Sequence, residues 1–175
     1  MTQEDLRPII VTICCTVYNH EPYIRKCLEG FVMQKTNFRF EAIVHDDAST
    51  DNSVEIIKEF EEKYPDIIKP IYEVENQYSK HGGSLWRILN EHTRGKYVAF
   101  CEGDDYWTDP LKLQKQVCFF KNHPECSLTY HACRNVFVDI VDKTTYGETV
   151  KESYTSATLL NDYFHTATIL VKKEV

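Results

Sequence analysis

No stretch of this chain is apolar for long enough to span a bilayer, and the N-terminal MTQEDLRP lacks a signal peptide's apolar segment, so the chain reads as cytoplasmic. Positive charge is scarce: 20 Lys and Arg face 27 Asp and Glu, for a formal net charge of -7. The lack of a broad basic field argues against nucleic acid as a partner. Any phosphate the protein handles must then be met locally, by a metal ion, backbone N–H groups or a few placed cations. The seven cysteines contain no C-x-x-C pair and no zinc-type His spacing, and several lie in apolar runs, where they read as reduced, small hydrophobes. Glycine is missing from the turn Tyr18-Asn19-His20-Glu21-Pro22 after the first apolar run. That absence argues against a G-x-G-x-x-G dinucleotide site, and against the Gly-rich phosphate loop of a sugar-1-phosphate nucleotidyltransferase.

What is present is an alternation of strand and helix patterns across 175 residues, a length suited to one domain with a substantial core. Ile9–Thr16 is apolar and β-branched, as for a strand buried on both faces. Ile24, Cys27, Leu28 and Phe31 recur at helical spacing to about Gln34. Phe40–His45 predicts a second strand, and Ile56 or Ile57 with Phe60 and Tyr64 a second helix ended by Pro65, with Asn52 and Glu55 at capping-box spacing. A third strand is expected over Ile67–Val74, a short helix through Trp86 and Leu89, and a fourth strand over Tyr97–Cys101. Asp109-Pro110 should open a helix with Leu113, Val117 and Phe120 inward. Ser127–Ala132, Asn135–Val141 and Thr166–Val171 read as strands, and Lys143–Ser156 as a polar loop. Repeated β–α–β units predict an α/β fold with a mostly parallel central sheet and helices on both faces.

In such sheets ligands bind outside the carboxyl ends of the strands, and the unusual residues fall there. Glu102-Gly103-Asp104-Asp105 sets carboxylates together at a strand end, with no Lys or Arg within five residues on either side. Mutual repulsion favours a hard divalent cation as the compensating charge; the alternative is a solvated loop with Asp109 capping the next helix. Asp46-Asp47 repeats the pattern one strand earlier. One of these carboxylates could accept a hydrogen bond from a base N–H, or both could serve as caps. Thr16-Val17-Tyr18-Asn19 offers a hydroxyl and an aromatic ring, for holding a base or simply for turning the chain.

Four segments, VTICCTVYNHEPYIRKCLEGFVMQ (11–34), EAIVHDDASTDNS (41–53), RGKYVAFCEGDDYWTDPLKL (94–113) and HTATILVKKEV (165–175), together resemble the family 2 glycosyltransferases of the glycosyltransferase A fold. The resemblance implies that Thr16 and Tyr18 line a base pocket, Asp47 reads the base, Asp104 lies near the ribose and metal, and Asp105 coordinates Mn2+ or Mg2+ on the diphosphate. Glu102 stands where many members carry aspartate. Arg87 and Lys80 are the candidate cations for the phosphates, and Tyr106, Trp107 and His165 the candidates for facing an acceptor sugar. The implied reaction is inverting transfer from a nucleotide-diphosphate sugar, UDP-linked, to a glycan or lipid-linked acceptor, which would bring the protein to the inner face of a membrane. The implied general base lies beyond Val175. Residues 1–175 thus read as a single nucleotide-sugar-binding domain truncated before that base, and Asp139, Asp142, Glu148 and Asp162 carry no motif support. The competing expectation is a module that binds the nucleotide without turnover.

Overall fold

The computed structural model describes residues 7–80, 83–134, 145–146 and 165–173. Strand β1 (Ile9–Val17) is the centre of the sheet, flanked in parallel by β2 (Arg39–Asp46) and β4 (Tyr97–Phe100), with β3 (Ile68–Tyr72) parallel beyond β2. Beyond β4 lie β8 (Leu170–Lys172) and β5 (Leu128–Thr129), each antiparallel to its neighbour, giving the order β3-β2-β1-β4-β8-β5. The expected mostly parallel α/β sheet is thus present. Its strand order reverses between β1 and β4, which opens a crevice at their carboxyl ends.

Side-chain alternation along β1 explains the two layers. Val11, Ile13, Cys15 and Val17 enter the larger core, with Ile24, Leu28 and Phe31 of α1 (Ile24–Val32), Ile57 and Phe60 of α2 (Ser53–Lys63), and Leu113, Val117 and Phe120 of α4 (Lys112–Asn122). Cys14 points the other way and meets Leu89 of α3 (Ser84–His92) with Ile43 and Val98. Four of the seven cysteines, Cys14, Cys15, Cys27 and Cys101, are buried and behave as the small hydrophobes expected; Cys118 is exposed. No helix among the described residues is long and apolar enough to cross a membrane.

Several boundaries differ from the sequence expectations. The Asn52 capping box does not form: Asn52 Nδ2 donates to Glu21 instead, and Asp51 Oδ1 accepts the Ser53 N–H at 3.0 Å. Helix α4 starts at Lys112, because Asp109 first closes a turn by accepting the Leu111 N–H. The last segment is not one strand; Thr166–Thr168 forms a 3-10 turn before β8. Thr145–Tyr146, within the expected polar loop, is strand β7 and pairs with β6 (Cys133–Arg134). Asp139, Asp142, Glu148, Asp162 and the strand expected over Asn135–Val141 lie outside the described residues.

A buried polar node sets β4 beside β1. Glu41 is fully buried and accepts from Thr12 Oγ1 at 2.9 Å, from Arg94 Nε at 3.0 Å and from Arg94 Nη2. Thr12 Oγ1 in turn accepts the Gly95 N–H at 2.8 Å. A Cβ at Gly95 would overlap the Thr12 nitrogen, so this turn requires glycine. Removing Arg94 would leave a buried carboxylate without its cation, a change that costs about 3–5 kcal/mol in fully buried pairs. Because the Arg94 side chain is 60% exposed, a smaller loss of about 2 kcal/mol is expected for Arg94→Met in urea unfolding. Arg94→Lys should lose less, and an unchanged midpoint for Arg94→Met would show that Glu41 does not depend on it.

Candidate nucleotide and metal site

Two loops meet at the carboxyl end of β1, each fastened to it by main-chain hydrogen bonds. The Asp47 N–H donates to the Val17 carbonyl at 2.8 Å, and the Gly103 N–H to the Thr16 carbonyl at 2.9 Å. Gly103 fits because it lacks a side chain: an added Cβ would stand 2.7 Å from His20 Nδ1 and 3.0 Å from Val17 Cγ2.

The turn after β1 is laced to the Asp-rich segment after β2. Asn19, in the left-handed region with φ 54°, accepts the Thr50 N–H at 2.8 Å. Ser49 Oγ accepts from the Asn19 N–H, Ser53 Oγ from the His20 N–H, and Asp51 Oδ2 from the Glu21 N–H, each at 2.9 Å. The Ser-Thr-Asp-Asn cluster therefore shapes the opposite loop more than it caps its own helix. Sequence reasoning missed this, since capping types bond local and distant N–H groups equally well.

Asp46 is buried and accepts the Ser49 N–H, which makes it a turn residue. Asp47 is also buried, and its two oxygens accept the N–H groups of Gln77 at 2.6 Å and Tyr78 at 3.0 Å. It thereby holds the loop after β3 against the end of β1. Tyr18 is 48% exposed and Thr16 half-buried at the same edge.

On the β4 side, carboxylate oxygens of Glu102, Asp104 and Asp105 all lie within 4.8 Å of one another, and among the described residues no Lys or Arg pairs with any of them. Asp105 Oδ2 is buried and accepts no hydrogen bond. Burial pushes the Asp105 carboxyl up to about 6, His165 works against that shift, and the charges of Asp104 and Glu102 add to it. The three carboxylates are hard oxygen donors with no Lys or Arg paired to them among the described residues, so they fit a hard divalent cation. Asp104 and Asp105 also border a cleft of about 1100 Å³, walled further by Tyr106, Trp107, Lys112 and His165.

A scan against family models matches residues 12–170 to Glycosyl transferase family 2. The chain belongs to glycosyl transferase family 2. An uncharacterized protein of Mycobacterium tuberculosis is 43% identical over 129 residues, which are 74% of this chain and 36% of that protein. S. aureus TarS has a similar fold, with a TM-score of 0.69 at 24% identity over 94% of this chain and 47% of that one. The mannosyltransferase PcManGT from Pyrobaculum calidifontis gives 0.68 at 19% identity over 96% and 45%. The chain thus spans about a third to a half of the length of these relatives, and the two structures establish the glycosyltransferase A fold.

Within this family member, Thr16 and Tyr18 lie at the end of β1 and just past it, and the loops carrying Asp47 and Asp104-Asp105 are anchored to the Val17 and Thr16 carbonyls. Thr16, Tyr18 and Asp47 are not walls of the cleft beyond the acidic loop. Lys80 instead pairs with Glu75 at 2.9 Å, and Arg87 is exposed on α3. Trp107 does not present its face to a ligand. It is buried, edge-on to Phe31 at 5.1 Å between ring centroids, and donates to the Ala167 carbonyl at 2.8 Å.

Lys112 is a buried residue that the sequence reading overlooked. Its ammonium lies 4.0 Å from the centre of the Trp107 ring and donates to Gln116 Oε1 at 2.8 Å. The available signal was its spacing, since Lys112 and Gln116 stand four apart beside the inward Leu113 and Val117. Burial lowers its pKa from 10.5 to about 7. The folded state therefore binds fewer protons than the unfolded one between those values, and stability rises with pH across that window. In paired unfolding titrations, Lys112→Met should flatten the rise between about pH 7 and 10.5 and add relative stability at neutral pH. Parallel wild-type and variant curves would exclude the buried-ammonium penalty.

Proposed function

We propose that this chain is the donor-binding part of a metal-dependent, inverting glycosyltransferase, using a nucleotide-diphosphate sugar and a glycan or lipid-linked acceptor. The observation that carries this reading is the buried Asp105 oxygen, which accepts no hydrogen bond, in a cluster of three carboxylates at the strand-order reversal. In this reading Asp105 holds Mn2+ or Mg2+, and Glu102 and Asp104 add negative charge beside it. The ion, when bound, offsets the charge that develops on the departing diphosphate.

The remaining site residues bind and orient the nucleotide. Tyr18 supplies an exposed aromatic face and Thr16 a hydroxyl at the end of β1. Asp47 accepts one backbone N–H on each oxygen, and each oxygen keeps a second lone-pair site, so one can receive a base N–H such as uracil N3–H. Asp104, beside Asp105 in the acidic loop, is the residue assigned to the ribose.

TarS has been crystallised with UDP and with UDP-GlcNAc, and PcManGT has a structure in complex with GDP-Man and Mn2+, which makes UDP the first nucleotide to test and GDP the second. Four of the seven cysteines are buried free thiols, which suits a reducing cytoplasm. A lipid-linked acceptor would draw the protein to the inner membrane face.

The test is a thermal melt with UDP, with and without Mn2+. A nucleotide at 100 times its Kd stabilises by about 2.7 kcal/mol. Metal should enlarge the UDP shift, and Asp105→Ala should remove the metal-dependent part while leaving a smaller shift from base contacts. Identical shifts with and without metal in the parent protein would overturn the reading.

A further inference from the structure

His165 opens the 3-10 turn that precedes β8, and its place is fixed from three directions. Its carbonyl accepts both the Thr168 N–H at 2.9 Å and the Thr168 hydroxyl at 2.7 Å. The turn is tied to the acidic loop's own flank by Trp107 Nε1, which donates to the Ala167 carbonyl at 2.8 Å. It is tied to α4 by Gln116 Nε2, which donates to the Thr168 carbonyl at 3.0 Å and to Thr129 Oγ1 at 3.1 Å. The buried Trp107 ring that makes the first bond is itself held by Phe31 and the Lys112 ammonium.

These bonds bring the imidazole to the acidic cluster from the opposite side of β4. His165 Nδ1 lies 3.6 Å from Asp105 Oδ2, the buried oxygen that accepts no hydrogen bond. This is too long for a hydrogen bond between them. One ion can span it, because metal–nitrogen and metal–oxygen bonds are each about 2.0–2.2 Å.

We propose that His165 is a further ligand of the divalent cation held by Asp105, giving the site a mixed nitrogen and oxygen donor set. The inference rests on the reading of Asp105 as a metal residue. Its consequence is metal selectivity. An imidazole nitrogen gains affinity along the series Mn2+, Fe2+, Co2+, Ni2+, whereas Mg2+ prefers oxygen donors and retains its waters. The site therefore favours transition-metal ions over Mg2+ by way of His165. The competing arrangement is a cationic His165 that merely neutralises Asp105, which would not discriminate among divalent ions.

Calorimetric titration with Mn2+, Co2+ and Mg2+ in the presence of UDP separates the two, using the parent protein, His165→Asn and Asp105→Ala. His165→Asn should weaken Mn2+ by at least about tenfold and Co2+ by more, while Mg2+ changes little. In the unsubstituted protein, pulsed electron paramagnetic resonance of bound Mn2+ should show coupling to a nitrogen-14 nucleus, a readout that does not depend on any variant folding. Equal weakening of all three ions in His165→Asn, or a Mn2+ spectrum without nitrogen coupling, overturns the His165 assignment and leaves Asp105 standing. A parent protein that binds none of the ions, or Asp105→Ala that binds Mn2+ unchanged, overturns both.

Discussion

Two carbonyl groups at the carboxyl end of β1 hold the candidate site together. β1 is buried on both faces, so its last carbonyls find partners in protein rather than in water. Val17 takes the N–H of Asp47 and Thr16 that of Gly103. Neighbouring carbonyls of one strand thus fasten the loops from two different neighbours, and they do so where the strand order reverses. The loop that carries Asp47 and the loop that carries Asp104 and Asp105 are anchored to the same strand end for that reason. The polar residues after β2 then stiffen the arrangement by bonding the backbone of Asn19, His20 and Glu21.

Against this stiff frame the acidic loop stands at an electrostatic disadvantage. Three carboxylates converge, one of them partly desolvated, and burial together with the charges of Asp104 and Glu102 raises the Asp105 pKa against the opposing pull of His165. Such an arrangement persists only when surrounding contacts over-determine it. Here those contacts are the Gly103 anchor, the packing of the Trp107 backbone against Gly30, and the Trp107 bond to Ala167. A bound cation would relieve the repulsion. The same Trp107 and the buried Lys112 join the acidic loop to the antiparallel edge of the sheet, so its two sides are not independent.

The parallel half of the molecule was legible because its elements are long and periodic. β1 and β2 are continuous apolar runs, and α1 and α2 show a clear helical stripe, so each local preference agrees with the tertiary position. The edge beyond β4 was less legible. β5 and β8 have two and three residues, too few for a periodic pattern, and pairing rather than propensity defines them. The segment over Thr166–Val171 is β-branched enough to predict a strand throughout, yet its first half turns because Trp107 and Gln116 claim its carbonyls. Capping residues after β2 were recognised by type and misread in target, since a serine oxygen carries no label for which N–H it will meet.

By itself, the sequence determined the fold class, the family, and the strand ends at which Thr16, Tyr18, Asp47, Asp104 and Asp105 sit. These follow from local apolar patterning and from short motifs whose members are neighbours in the chain. Tertiary structure alone decided which groups meet. Asp47 grips the Gln77 and Tyr78 amides 30 and 31 residues away. Trp107 became an internal strut bonded 60 residues away, leaving His165 to face Asp105. Such contacts depend on how the antiparallel edge docks on β4, a long-range packing outcome that no local pattern encodes.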